Sequence, residues 1–420
     1  MDLTERYRLD GRSPRSVIHP RTVEEVAEAL REAARSGWAV VPWGSGAHQG
    51  YGEAPSRYDL ALDLTGLSGI VRHRPANLTV RVEAGIRLAD LNAQLAAHGQ
   101  WLPLDPPPGD SATIGGILAT GLSGPLRARY GPPRDLLIGI RVVLADGTVV
   151  QGGGEVVKNV AGYDLPRLFC GSLGTLGVIV EAAFKLWPRP KTEATALFGF
   201  ARAEDAMPLT LGLLRHPGFP LAVEVLNAAA WAELRRQVPL PETPEARIWV
   251  LVRAGGWPAS VERVLRDAEN LAAAAQARER LSGDAAALLW AHVPRLTALP
   301  YPPPPDGLWV RLGVLPAQVA EALRTLEAFP DVRVIGQAQG TAGVIYARAH
   351  GPLEALLGWG EALRSFALAR GGHFTLLNGP EAARRALGLW APQRPEIAAM
   401  QRIKAQLDPH GRLSPGRMGW

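Results

Sequence analysis

Four stretches of the 420-residue chain pair small side chains with groups able to bind an anion or a flat ring. An apolar run at 38–43 leads into Gly44-Ser45-Gly46-Ala47-His48-Gln49-Gly50, too rich in glycine to continue as helix or strand. With no side chains in the way, successive backbone N–H groups in such a loop can point at one anion. Its glycine spacing is GxGx₃G, and Gly52 and Pro55 prevent a following helix, so the strand, turn and helix of a Rossmann dinucleotide site are not met. Asp63 stands where a ribose-binding acid would. By itself this loop is equally well explained as a strand-to-loop turn. Thr113-Ile114-Gly115-Gly116, after the rigid Asp105-Pro106-Pro107-Pro108-Gly109, puts an N-cap hydroxyl and two bare positions at a helix start. Gly121 to Gly124 and Tyr130-Gly131 follow, then Lys158-Asn159-Val160-Ala161-Gly162-Tyr163-Asp164-Leu165, then Gly171-Ser172-Leu173-Gly174-Thr175-Leu176-Gly177-Val178-Ile179. Turns alone account poorly for so many glycine segments. One extended cofactor touching several loops accounts for them better.

A second group of candidates lies on the run 344–350, where Tyr346, Arg348 and His350 alternate onto one strand face. An arginine fork beside a phenol and an imidazole suits a carboxylate, and a solvated strand face is the competing explanation. His373 is the other histidine nearby, and single histidines beside strands are more often structural than basic catalysts.

These groups need elements to hold them. Thr22 with Glu25 three residues on reads as a capping box opening a helix to Arg35, which Gly37 ends. Strands are expected at 38–43, 60–64 and 79–82, a helix at 88–98, and a hairpin turning on Asp146-Gly147 between 140–144 and 148–150. Pro188-Arg189-Pro190-Lys191 is a natural boundary, because two prolines stop both helix and ladder. Beyond it the pattern predicts strands at 195–201, 221–226 and 247–254 with helices at 204–215 and 258–277. It then predicts strands at 308–314, 332–337, 342–349 and 373–377 with helices at 316–328 and 352–370. Two passes of strand-helix-strand-strand-helix suggest ferredoxin-like units sharing one antiparallel sheet. A last helix at 395–407 leads into Asp408-Pro409-His410-Gly411 and Ser414-Pro415-Gly416-Arg417, turn chemistry like that of the first part.

Composition narrows the function classes. Hydrophobic residues make up 47% and charged residues 20%, the balance of a folded domain protein. The net charge of +5 is carried by scattered arginines, with Lys158, Lys185, Lys191 and Lys404 the only lysines, so no basic stripe for nucleic acid exists. Cys170 alone forbids an intrachain disulfide and a Cys-ligated iron-sulfur cluster. No cluster of metal-ligating residues is expected. No apolar signal core opens the chain and no membrane-length apolar run occurs, so a cytoplasmic location is expected, with membrane contact only through partners.

The ordered set GSGAHQG, DPP, TIGG, YG, GYDL and GSLGTLGVI resembles the PCMH-type FAD-binding domain of the vanillyl-alcohol oxidase superfamily. KNVAGYDLPRLFCGSLGTLG and the tail RIKAQLDPHGRLSPGRM are similar to the E-type FAD subunits of bacterial glycolate oxidases. The resemblance implies an α+β fold: a two-part FAD domain over 1–190, an α+β cap with an antiparallel sheet over 191–390, and a segment at 391–420 returning to the FAD domain. It implies FAD held by Gly44, Ser45, Gly46, Ala47, His48, Gln49, Pro106, Thr113, Ile114, Gly115, Gly116, Tyr130, Gly131, Gly162, Tyr163, Asp164, Gly174, Gly177, Val178 and Ile179. Ser45-Gly46-Ala47-His48 is similar to loops whose histidine carries FAD covalently in some members, whereas the E-type resemblance implies non-covalent FAD, which we favour. A 2-hydroxyacid substrate, glycolate first, is implied, with a second FAD subunit and an iron-sulfur subunit as partners. The H-x-G-D-G-N string of catalytic 2-hydroxyacid dehydrogenases is missing here. Tyr346, Arg348 and His350 are then the remaining catalytic candidates, and a FAD-bearing assembly or electron-relay subunit is the alternative function.

Overall fold

The computed structural model describes residues 4–107, 109, 111–154, 163–240, 245–390 and 395–420. The chain divides into two compact units. One comprises residues 1–123, 131–189 and 392–420, and the other 124–130 and 190–391.

The first unit holds β1 (Ser16–Ile18), β2 (Val40–Trp43), β3 (Leu60–Asp63), β4 (Ile70–Arg74), β5 (Thr79–Glu83), β6 (Gln100–Trp101), β7 (Leu137–Val143), β8 (Val149–Gly153), β9 (Val178–Lys185) and β10 (Trp187–Pro188). Strands β1, β3 and β2 form a parallel sheet in that order, and β4-β5-β9-β7-β8 an antiparallel one. The helix Val23–Arg35 forms where the capping box places it: Thr22 Oγ1 accepts from Glu25 N–H at 3.1 Å, and the Glu25 carboxylate accepts from Arg21 N–H at 2.6 Å. Its apolar stripe of Val26, Ala27, Leu30 and Ala33 is buried with Leu60 and Leu62 of the parallel sheet and Val178 and Val180 of β9. The antiparallel sheet's other face packs on the helices Leu88–Ala96 and Ile114–Thr120 through Val80, Val82, Leu91, Leu95, Ile117 and Phe184. At the β7–β8 hairpin, Gly147 adopts φ +82°, and a Cβ there would lie 2.6 Å from Arg31 Cγ.

The second unit holds β11 (Thr192–Phe200), β12 (Ala222–Asn227), β13 (Ile248–Gly256), β14 (Ala277–Leu281), β15 (Gly307–Gly313), β16 (Arg333–Gln339), β17 (Val344–His350) and β18 (His373–Asn378). They form one sheet in the order β14-β11-β13-β12-β16-β17-β15-β18. Each half has the 4-1-3-2 strand order of a ferredoxin-like unit, and β12 joins them to β16. The α+β class with paired antiparallel repeats is as expected. One face, with Val223, Val225, Val250, Val252, Val310 and Leu312, packs on the helices Ala203–Leu214, Pro258–Leu271, Val319–Leu326 and Leu353–Ala369. On the other face Leu226, Trp249 and Leu251 meet the helices Ala228–Arg235 and Gly283–His292, with Trp231 stacked on Trp249 at 3.9 Å.

One expectation is corrected. The helix expected to run to 277 stops at Leu271, because Ala277–Leu281 is the edge strand β14. Its Arg278, Glu279 and Arg280 are the charges an edge strand carries to discourage further pairing, and they hide the strand alternation. The helices Ala228–Arg235 and Gly283–His292 are additional to the expected elements.

Candidate functional site

Side-chain-free backbone from separate parts of the first unit meets at one groove open to solvent. Gly44, Ser45, Gly46, Ala47, His48 and Gln49 line it from the end of β2, Thr113, Gly115 and Gly116 from the start of the helix Ile114–Thr120, and Gly174, Gly177 and Ile179 from the turn entering β9. The close approach of these segments is what excludes side chains. A Cβ on Gly44 would sit 2.2 Å from Thr113 Oγ1, and one on Gly116 would sit 3.2 Å from His48 Nδ1. Thr113 is buried, and its hydroxyl accepts from Gly116 N–H at 3.3 Å, so the hydroxyl that a Gly44 side chain would strike is the one that starts the helix.

His48 Nε2 lies 3.2 Å from the Pro107 carbonyl, to which the neutral ring donates. Burial pulls its pKa down to about 4, with the Pro107 hydrogen bond opposing. Because the folded value lies below the ordinary 6.5, the unfolded chain takes up this proton first, and stability falls as pH drops from about 6.5 toward 4. Apoprotein unfolded by urea at pH 7 and pH 5 should lose about 2 kcal/mol on that account. His48→Gln, which keeps a donor for Pro107, should flatten this loss, and an unchanged pH slope in the variant would refute the assignment.

The remaining candidates divide. Ile114 and Val178 point into the apolar cores on either side of the antiparallel sheet, one residue off the groove-facing positions of helix and strand. Pro106 is buried outside the groove lining. Gly131 adopts φ +83° against Asp135 at the turn into the helix Pro133–Leu136. Tyr163 is 93% exposed, and Asp164 caps the helix Leu165–Phe169 by accepting from Arg167 N–H at 3.2 Å. Tyr130 belongs to the second unit, where burial first and Glu193 second push its phenol up to about 12 against the opposing charges of Arg129 and Arg253. Gly162 lies outside the described residues. Sequence reasoning missed Trp43, Leu64, Ala84, Thr120, Ser414 and Arg417 on the groove wall. For the last two a signal existed, in the tail's turn chemistry.

In the second unit Tyr346, Arg348 and His350 do share a face of β17, spread over about 13 Å at the strand's rise per residue. Arg348 donates to the Ala298 carbonyl at 3.3 Å and stands 3.6 Å from Glu233, and His350 pairs with Asp306 at 3.7 Å. Tyr346 is buried, its register partners being Gln337 and Arg311. Near it lies a group that sequence reasoning passed over: fully buried Glu224 on β12 accepts from Gln337 Nε2 at 2.7 Å. Among the described residues no group of three or more His, Cys, Asp or Glu is arranged to hold a metal ion. No helix of the described residues is long and apolar enough to cross a membrane.

The family model described as an FAD binding domain matches residues 14–153, and that for the C-terminal domain of FAD linked oxidases matches 384–418. Glycolate oxidase subunit GlcE of Escherichia coli is 32% identical over 376 residues, 85% of this chain and 86% of that one. The chain belongs to the FAD-linked oxidase family. Glycolate oxidase subunit GlcD of Bacillus subtilis is 32% identical over 65% of this chain, and the match spans 57% of that relative's length. Against the mitochondrial cytochrome-type D-lactate dehydrogenase of Arabidopsis thaliana, at 37% identity, it spans 35%. Among solved structures, p-cresol methylhydroxylase with substrate bound superposes with a TM-score of 0.71 at 17% identity, covering 96% of this chain and 88% of that one, a likeness of fold. The residues matched by the FAD binding domain model, 124–130 apart, lie in the unit that carries the groove. The residues present fit such a cofactor, since the close approach of bare glycine backbone at Gly44 and Gly116 leaves the groove free of bulky side chains.

Proposed function

We propose that the first unit binds FAD non-covalently in this groove and that the chain works as an oxidoreductase subunit on a 2-hydroxyacid, glycolate foremost. The supporting observation is the convergence of segments 44–49, 113–116 and 174–179 on one cavity. The loop Gly44 to Ala47 would hold the diphosphate, and Thr113, Gly115, Gly116, Gly174, Gly177 and Ile179 would supply a wall without bulky side chains. Neutral His48, occupied by the Pro107 carbonyl, spaces the loop rather than attacking a ring. Bound FAD supplies the acceptor for a hydride from the hydroxyl-bearing carbon. In the second unit His350, on the face of β17 that also carries Tyr346 and Arg348, is the group we assign to hold the hydroxyl proton, with Asp306 beside it at 3.7 Å. With a single cysteine in the chain, electrons leave to partners, a second FAD subunit and an iron-sulfur subunit.

The missing H-x-G-D-G-N string and the engaged Arg348 and His350 favour a second role, an assembly or electron-relay subunit without its own turnover. Anaerobic mixing with glycolate separates the two. Bleaching of the flavin absorbance in the isolated chain is expected for the oxidoreductase, and bleaching only in the presence of partners would support the relay. Acid precipitation should leave all flavin in the supernatant, and flavin in the pellet would overturn non-covalent binding.

A further inference from the structure

The last residues of the chain run beside β2, with Leu413 in parallel register with Val40. Val40 N–H donates to Arg412 O at 2.8 Å and Ser414 N–H to Val40 O at 2.9 Å, so the tail extends the sheet at the strand that delivers the first glycine loop. Two cations then reach outward from this segment. Arg417, 4% exposed, donates through Nη2 to the carbonyls of Gln49 at 2.8 Å and Tyr51 at 2.6 Å, and through Nη1 to that of Glu53 at 3.0 Å. The loop answers with Glu53 N–H on Arg417 O at 3.0 Å and Ser56 N–H on Pro415 O at 2.8 Å. Lys404, at the end of the helix Pro395–Leu407, donates from Nζ to Thr175 O at 2.7 Å, to Leu413 O at 3.0 Å and to the Asp408 carboxylate. Buried Asp408 also accepts from the N–H groups of Arg412 at 3.0 Å and Leu413 at 2.8 Å, fixing the turn that carries the tail back.

Two of the groove's three segments, 44–49 and 174–179, are therefore each tied to the tail by one cation. Both cations bind carbonyl oxygens of the main chain and so fix the loop backbone itself. We infer that the C-terminal segment is a clasp for the cofactor groove, with Lys404 and Arg417 as positioning residues, so that clasp closure and FAD occupancy stabilise each other. This rests on FAD as the occupant of the groove. A ligand that binds only the clasped form loses affinity in proportion to the unclasped fraction, and by reciprocity it suppresses opening.

The experiment uses the full chain. FAD is titrated into the parent apoprotein, Lys404→Met and Lys404→Arg, following flavin fluorescence. Trypsin cleavage after Arg412, whose carbonyl is bound on β2, reports opening of the clasp with and without saturating FAD. Lys404→Met should weaken FAD binding tenfold or more, Lys404→Arg should recover part of it, and FAD should slow the Arg412 cleavage in the parent at least tenfold. If Lys404→Met fails to fold, the protection measured on the parent decides. Cleavage at equal rates with and without FAD, or a folded Lys404→Met binding within twofold of the parent, overturns the clasp and leaves FAD binding intact. A parent that binds no FAD overturns both.

Discussion

Gly44→Ala should strip the protein of its flavin. The added methyl would lie 2.2 Å from Thr113 Oγ1 and 3.1 Å from Thr113 Cβ, a buried residue with no room to retreat. Either the loop 44–49 lifts from the helix start or Thr113 gives up its cap on Gly116 N–H, and both move the two walls that are meant to face one diphosphate. Overpacking of this kind costs about 1–3 kcal/mol in a fixed core, and a displaced pair of walls adds lost binding donors. We expect FAD affinity to fall at least about 100-fold, which is about 2.7 kcal/mol. The matched control is Gly313→Ala in the second unit, where the nearest atom to a new Cβ is 3.6 Å away, and it should keep its flavin. Equal flavin content in the two purified variants would contradict the role given to Gly44.

His350→Gln should slow flavin reduction by glycolate while leaving flavin content unchanged. His350 ends β17 with its side chain partly exposed and pairs with Asp306 at 3.7 Å. The amide there disturbs neither the core of the second unit nor the groove of the first, while the capacity to take up a proton is lost. Removal of a general base lowers kcat by about 10²–10⁴-fold. The measurement is the rate of flavin reduction by glycolate under anaerobic conditions, alone and with partner subunits. A variant that reduces at the parent's rate would place the proton-holding group elsewhere. A parent that reduces only with partners, at a rate indifferent to this substitution, would favour the relay role.

Much of the groove could be read from the sequence because its requirement is local. A loop of Gly44-Ser45-Gly46-Ala47 excludes both helix and strand whatever surrounds it, and Thr113 with two following glycines marks a helix start that backbone can approach. The paired repeats of the second unit were equally open to sequence analysis, since apolar runs such as 221–223 and 248–252 alternate with helical patterns. Contacts closed by the fold were not. Arg417 meets Gln49 across 368 positions and Lys404 meets Thr175 across 229, and neither residue differs from a surface cation when taken alone. Glu224 sits in an ordinary alternating strand, and its burial comes from what covers that face. Glycine-rich segments also misled: the stretch ending in Tyr163-Asp164 looked like groove wall, yet these two residues are an exposed phenol and a helix cap.

One long flavin dinucleotide is expected to occupy the groove of the first unit. Titration of apoprotein with FAD, read by calorimetry and by the flavin spectrum, should give one site per chain. Free AMP and FMN should each compete, because each occupies part of the same groove. Absence of binding by refolded apoprotein, or binding that neither half-molecule displaces and that Gly44→Ala leaves intact, would contradict it.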